Sequence, residues 1–258
     1  MKQQKKSLPY YRDLFSILLS KELKVRYKNT FLGYVWSILH PLLFAAVYIF
    51  VFRFIFKIQI KNYPLFLICG LFPWQAFANS LGTSTMTFIG NSSLIKRVPF
   101  PRELLVYTVV LNDMIHFILS SPVIILLMIY FKVPFNLLSF LFIPILILIQ
   151  YILTASISLL FATCNLFLRD LERLVSILTL VWFFMTPVLY AESFIPAAYK
   201  WIIYVNPMAP IILTWKKIFM GHPIDLNYVG IAFAWSIFCS LIGHLVYRKF
   251  KWRFAELV

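Results

Sequence analysis

Residues 9–56 read PYYRDLFSILLSKELKVRYKNTFLGYVWSILHPLLFAAVYIFVFRFIF, and the two halves of that stretch decide the fold class. The second half, 33–56, is an apolar run of 24 residues. A helix needs about 20 apolar residues to cross the hydrocarbon layer of a bilayer. The first half, 9–28, is two-faced. Wound at about 100° per residue, it puts Tyr11, Leu14, Phe15, Leu18 and Val25 on one side. Arg12, Asp13, Ser16, Ser20 and Lys24 fall on the other, and Glu22 is the exception on the apolar side. A basic helix of this kind lies flat at the membrane surface with its cations toward anionic headgroups. The pattern predicts an interfacial helix leading into a first span; a plain positive-inside topology signal is the simpler reading of the same charges.

The rest of the chain agrees with a membrane protein. Of its 258 residues, 62% are hydrophobic, against roughly 45–50% for soluble domains, and the mean hydropathy is +0.85. The net charge of +15 does not point to nucleic acid, because the 24 Lys and Arg sit at the ends of apolar runs and no nucleic-acid-binding motif accompanies them. The first apolar run is longer than a signal-peptide core and has no small-residue cleavage site after it, so a cleaved leader is not expected. Cys69, Cys164 and Cys239 stand alone inside apolar segments, with neither metal-ligand nor disulfide-framework spacing.

Six runs are long enough to cross: 33–56, 64–88, 104–130, 138–163, 174–190 and 228–247. The fifth, with 17 residues, is at the lower limit. The expected fold is a single all-α integral membrane domain over 1–258, with six transmembrane helices, the interfacial helix 9–28, and short re-entrant helices between spans five and six. Counting Lys and Arg beside the spans puts 17 on one side and seven on the other. Both termini are then expected on the cytoplasmic side of the membrane.

Residues 191–227 break the regularity. SFIPAAYKWIIYV and MAPIILTWKKIFM are apolar but too short to span, and Pro196, Pro207, Pro210 and Pro223 end or bend any helix there. Backbone of this kind survives at membrane depth only when buried in protein or facing a wet cavity, which suits a gate at the outer mouth. A loop resting on the surface is the alternative. On the inner side, NSSLIKRVPFPRE at 91–103 predicts one short helix stopped by Pro99 and Pro101.

No Gly-x-x-x-x-Gly-Lys-Ser/Thr occurs, so a P-loop nucleotide site is not expected in this chain. Asn112, Asp113 and His116 form the one dense polar cluster inside a span; helix packing is the favoured reading, and a proton relay or a metal site would need further carboxylates or ligands. A membrane-embedded transferase lacks a catalytic constellation. Spans one and five are rich in aromatics, which suit interfacial belts; a sugar slide is the functional alternative, since pyranose C–H faces pack on rings. Arg53 is expected to snorkel to the interface.

Residues 21–52, KELKVRYKNTFLGYVWSILHPLLFAAVYIFVF, resemble the membrane subunit of polysaccharide-exporting ABC transporters, the ABC-2 type permeases that serve O-antigen, capsule and teichoic acid. GLFPWQAFANSL at 70–81, NSSLIKRVPFPRE, and the Asn-Pro of YVNPMAP at 204–210 resemble the same family more weakly. The resemblance implies a transport subunit that is not itself an enzyme. It implies a homodimer working with two nucleotide-binding ATPase subunits, which would carry ATP and Mg as the cofactors this chain lacks. It implies, too, a substrate of undecaprenyl-pyrophosphate-linked polysaccharide moved outward through the bilayer. Residue by residue, Lys24, Arg26 and Lys28 would meet the pyrophosphate. Asn91, Leu94, Ile95, Lys96 and Arg97 (helix 91–97) would couple to the ATPase, and Tyr48, Phe52, Trp182 and Tyr190 would line the channel. The pieces in 191–227 would form the outer gate. An ABC-2 permease exporting a drug or another lipid is the nearest competing expectation.

Overall fold

The structure is a computed structural model that describes residues 8–26, 33–55, 57 and 60–254. Among these residues every regular element is a helix. The first, α1 (Leu8–Arg26), carries the two-faced pattern of the sequence and lies against the start of a long helix, α6 (Glu103–Tyr130). Leu18 is buried in that contact and Leu14 half-buried beside it. Val25, on the same stripe, is exposed, so the buried part of the stripe ends before it.

A single 3₁₀ turn, Gly33–Val35, opens α2 (Trp36–Ile49), which continues as a π-helical turn, Phe50–Ile55. The central helix is α3 (Tyr63–Thr85), with Pro64 in its first turn, where a missing N–H costs nothing. Seventeen of its 23 residues are buried, so it forms the axis of the bundle. Two short helices follow, α4 (Thr87–Gly90) and α5 (Ser92–Arg97), before α6 returns along α3. Then come α7 (Leu137–Leu141), α8 (Ile143–Asn165), α9 (Leu171–Met185), α10 (Trp201–Val205), α11 (Ala209–Phe219) and α12 (Leu226–Phe250). Helices α8 and α12 approach closely because Gly243 has no side chain: a Cβ there would sit 2.5 Å from the Ser156 carbonyl oxygen. Small residues permit such contact where lipid offers no hydrophobic drive between helices.

Five helical stretches among the described residues are long and apolar enough to cross a bilayer: α2 with its π turn, α3, α6, α8 and α12. The fifth run, expected as one span over 174–190, is not a single helix of spanning length. Helix α9 has 15 residues, about 22 Å at 1.5 Å per residue, against about 30 Å of hydrocarbon. It stops because Pro187 disfavours helical backbone at Thr186, which is extended (φ −96°, ψ 136°).

Two ends result. One gathers α1, α4, α5, the start of α6 and the ends of α8 and α12 around Phe88, Ile95, Leu105, Leu159, Tyr247 and Phe254. This is the basic end. The other holds the broken segment 191–227.

Candidate functional site

At the basic end, α5 is held from two directions. Lys21 Nζ of α1 donates to Asn91 Oδ1 at 2.6 Å, and Asn91 Nδ2 donates to the Thr87 carbonyl at 2.8 Å. From the other side, Arg102 donates to the Lys251 carbonyl at 2.9 Å, and the Tyr247 hydroxyl donates to the Glu103 carboxylate. Within α5, Ile95 is 4% exposed and packs inward on Phe88 and Leu105, whereas Lys96 and Arg97 are exposed. Leu94 is half-buried. The helix thus uses Ile95 as an anchor and offers its cations outward.

Lys24 is exposed and shares an open groove with Ser16, Ile17, Ser20 and Lys21. Arg26 is the last residue of α1, and Lys28 lies outside the described residues. The sequence reading passed over Lys21 as one more basic residue; only the fold shows that it reaches Asn91, 70 positions away.

The four aromatics expected along a pathway fall on one flank. Tyr48 and Phe52 are ring neighbours on α2 (6.4 Å), and Tyr48 lies 5.9 Å from Phe183 of α9. Trp182 turns inward, edge-on to Phe77 of α3 at 5.1 Å, and its Nε1 donates to Asn206 Oδ1 at 2.7 Å. Tyr190 donates its hydroxyl to the Phe184 carbonyl at 3.2 Å. All four are half-buried within the single chain. Around them α2 and α9 leave apolar faces bare: Phe44, Val47 and Phe50 on one, Leu180, Val181 and Phe184 on the other.

The polar cluster of span three is buried. Ser80 of α3 donates to Asp113 Oδ2 at 3.0 Å, a bond between packed helices, as a packing role requires. Arg53 is exposed in the π turn of α2.

The broken segment is tied into the bundle by buried side-chain hydrogen bonds. Helix α11 sinks between its neighbours: Trp215 Nε1 donates to Gln150 Oε1 at 2.7 Å, and Gln150 Nε2 to the Pro73 carbonyl at 2.9 Å, midway along α3. Lys216, 4% exposed, aims Nζ at the carbonyls of Pro187 (2.6 Å), Val188 (2.8 Å) and Tyr190 (3.4 Å), with the Phe66 ring 3.6 Å away. Sequence reading missed Lys216 and saw Asn206 only as part of an Asn-Pro pair.

Helical bundle, broken segment and short helix at the basic end together describe a multi-pass membrane protein. Residues 13–220 match the ABC-2 type transporter family, and the chain belongs to it. It is 42% identical to the O-antigen export system permease protein RfbA of Klebsiella pneumoniae, over 99% of both chains. It is 34% identical to the protein of the same name from Myxococcus xanthus, over 98% of both. A more distant relative, the polysialic acid transport protein KpsM of Escherichia coli, is 23% identical over 90% of this chain and 91% of its own length.

Proposed function

We propose that this chain is the transmembrane subunit of an ATP-driven exporter that moves lipid-linked polysaccharide of the O-antigen kind outward across the cytoplasmic membrane. The observation that carries this reading is similarity to O-antigen export permeases over 98–99% of this chain. In this reading two copies pair, and two ATPase subunits dock at the basic end, which faces the cytoplasm. The bare apolar faces of α2 and α9 supply a surface for the second copy.

The roles follow from chemistry. Lys24, with Arg26 and Lys28, meets the anionic pyrophosphate as the lipid leaves the inner leaflet. Arg can grip phosphate oxygens bidentately, and Lys acts as a point charge. Helix α5 takes up the ATPase stroke through Leu94, Lys96 and Arg97, with Ile95 rooting it in the chain. The glycan then slides past Tyr48, Phe52, Trp182 and Tyr190. Many weak ring contacts suit a moving polymer; an aromatic pair is worth about 0.5–1.5 kcal/mol, and a sugar face gains no more. Short helix α9 and the segment after it complete a sixth crossing, with α10 and α11 as re-entrant pieces of the outer gate.

Deleting the gene and following the glycan tests this. Lipid-linked polysaccharide should accumulate on the cytoplasmic side, and a plasmid copy should restore surface glycan. Normal surface glycan in the deletion, with loss of resistance to a drug or of another lipid from the outer leaflet, would replace this reading with the competing one.

A further inference from the structure

Pro187 looks like a hinge. It ends α9 and leaves a stretch of backbone that no helix satisfies. The last carbonyls of any helix need partners from elsewhere, and at membrane depth water does not supply them. A true hinge would leave these groups free to exchange partners as it bends.

The hydrogen bonds show the opposite. The carbonyls of Trp182 and Phe183 accept from the Thr186 N–H, at 3.0 and 3.3 Å. The Phe184 carbonyl accepts from the Tyr190 hydroxyl at 3.2 Å, and the Met185 carbonyl from Asn206 Nδ2 at 3.4 Å. The Thr186 carbonyl accepts from the Val188 N–H at 2.6 Å. Lys216 meets Pro187, Val188 and Tyr190, and the Tyr63 hydroxyl of α3 meets Leu189 at 3.3 Å. Every carbonyl from Trp182 to Tyr190 is met inside the protein. The donors from outside this stretch are three side chains, two of them, Asn206 and Lys216, in the segment 191–227.

Asn206 is used to its limit. Its Oδ1 accepts from Trp182 Nε1 (2.7 Å) and the Met208 N–H (3.0 Å), while Nδ2 donates to Thr186 Oγ1 (2.9 Å) as well as to Met185. A buried side chain with all its sites filled fixes one geometry. Lys216 reaches its partners because Gly70 of α3 has no side chain: a Cβ there would lie 2.7 Å from Lys216 Cε.

We propose that Asn206 and Lys216 pin the broken end of α9 to α10–α11, so that these elements, with Trp182 and Tyr190 attached, move as one rigid body during transport. Asn206 and Lys216 are positioning residues: they act through Trp182 and through the backbone that carries Tyr190. Pro187 therefore does not bend, and any opening of the outer gate carries along the groups of α3 and α8 bonded to this body, Tyr63 and Gln150. The inference rests on the exporter reading only in assuming that the protein cycles between states.

The test uses the full chain assembled with its ATPase partner, with native cysteines replaced and spin labels at Leu178 of α9 and Tyr199 of the outer segment. Both positions are exposed. Labelled chain is diluted in unlabelled chain so that pairs within one molecule dominate. The label distance should be narrow and should shift by less than about 2 Å between nucleotide-free and ATP-trapped states, the scale of small helix adjustments. Lys216→Met and Asn206→Ala should each broaden or split it. A wild-type shift of about 5 Å, near one helical turn, overturns the proposal without any variant. So does a distance that neither variant alters. Because no glycan is present in the measurement, a wrong substrate assignment would leave its outcome unchanged and would show instead in the deletion strain.

Discussion

The basic end and the broken segment 191–227 carry similar polar residues and treat them in opposite ways. Lys21, Lys24, Lys96 and Arg97 are exposed, and the bond from Lys21 to Asn91 is an exposed side-chain pair. At the other end Lys216 is 4% exposed, Asn206 7%, and each is bonded to several groups of the chain. Near water a cation needs no protein partner, so its position is set by what it must meet. At depth an unmet donor or acceptor costs about 1–3 kcal/mol, so each such group is bonded before it is anything else. The basic end leaves its cations to the surroundings; the broken segment binds its own polar groups.

The largest effect should come from breaking the second kind of arrangement. Lys216→Met keeps the volume and leaves three carbonyls with one donor fewer each. At about 1 kcal/mol or more per carbonyl, the chain should lose about 3 kcal/mol and melt several degrees lower in detergent. Asn206→Ala should cost somewhat less. An unchanged melting temperature for both would show that the broken segment is held by apolar packing alone.

Helix α5 divides the comparison within six residues. Ile95→Asp places a carboxylate in a buried cluster and should cost stability on the same scale as Lys216→Met. Lys96→Glu with Arg97→Glu should leave the melting temperature within about 0.5 kcal/mol of wild type, as surface changes do, while the ATPase no longer co-purifies. The reverse pattern, a stable Ile95→Asp chain or an ATPase indifferent to the charge reversal, would remove α5 as the dock.

The smallest effect is expected at Lys24. Lys24→Ala should not change melting and should reduce stimulation of the ATPase by lipid-linked substrate modestly. The reduction should be larger at low salt, where exposed charges are less screened. Stimulation equal to wild type at both salt concentrations would place the pyrophosphate elsewhere.

What could be read from sequence divides along similar lines. Period and length suffice for α1, which is helical over the described part of its expected range 9–28, and for the spans that became α3, α6, α8 and α12. The short helix expected over 91–97 was legible because prolines bound it. The break inside the fifth run was not legible: an apolar tally runs through Thr186 and Pro187 unchanged, and only the proline's backbone constraint marks it. Lys216 was not legible. It sits beside Lys217, which pairs with Asp225 at 3.4 Å, and nothing in the dipeptide says which lysine faces inward. That depends on how α11 rolls against Gly70 and the carbonyls after α9, and those are contacts between distant parts of the chain.

The central claim is that this chain carries lipid-linked polysaccharide across a membrane with energy from a separate ATPase. Its most direct test is reconstitution of the chain and that ATPase in vesicles, loaded with lipid-linked glycan in the outward-accessible leaflet on the ATPase side. Glycan should become protected from an added glycosidase only when ATP is supplied and only when both proteins are present. Glycan that stays fully accessible while ATP is hydrolysed, or that is protected without the chain, would contradict the account.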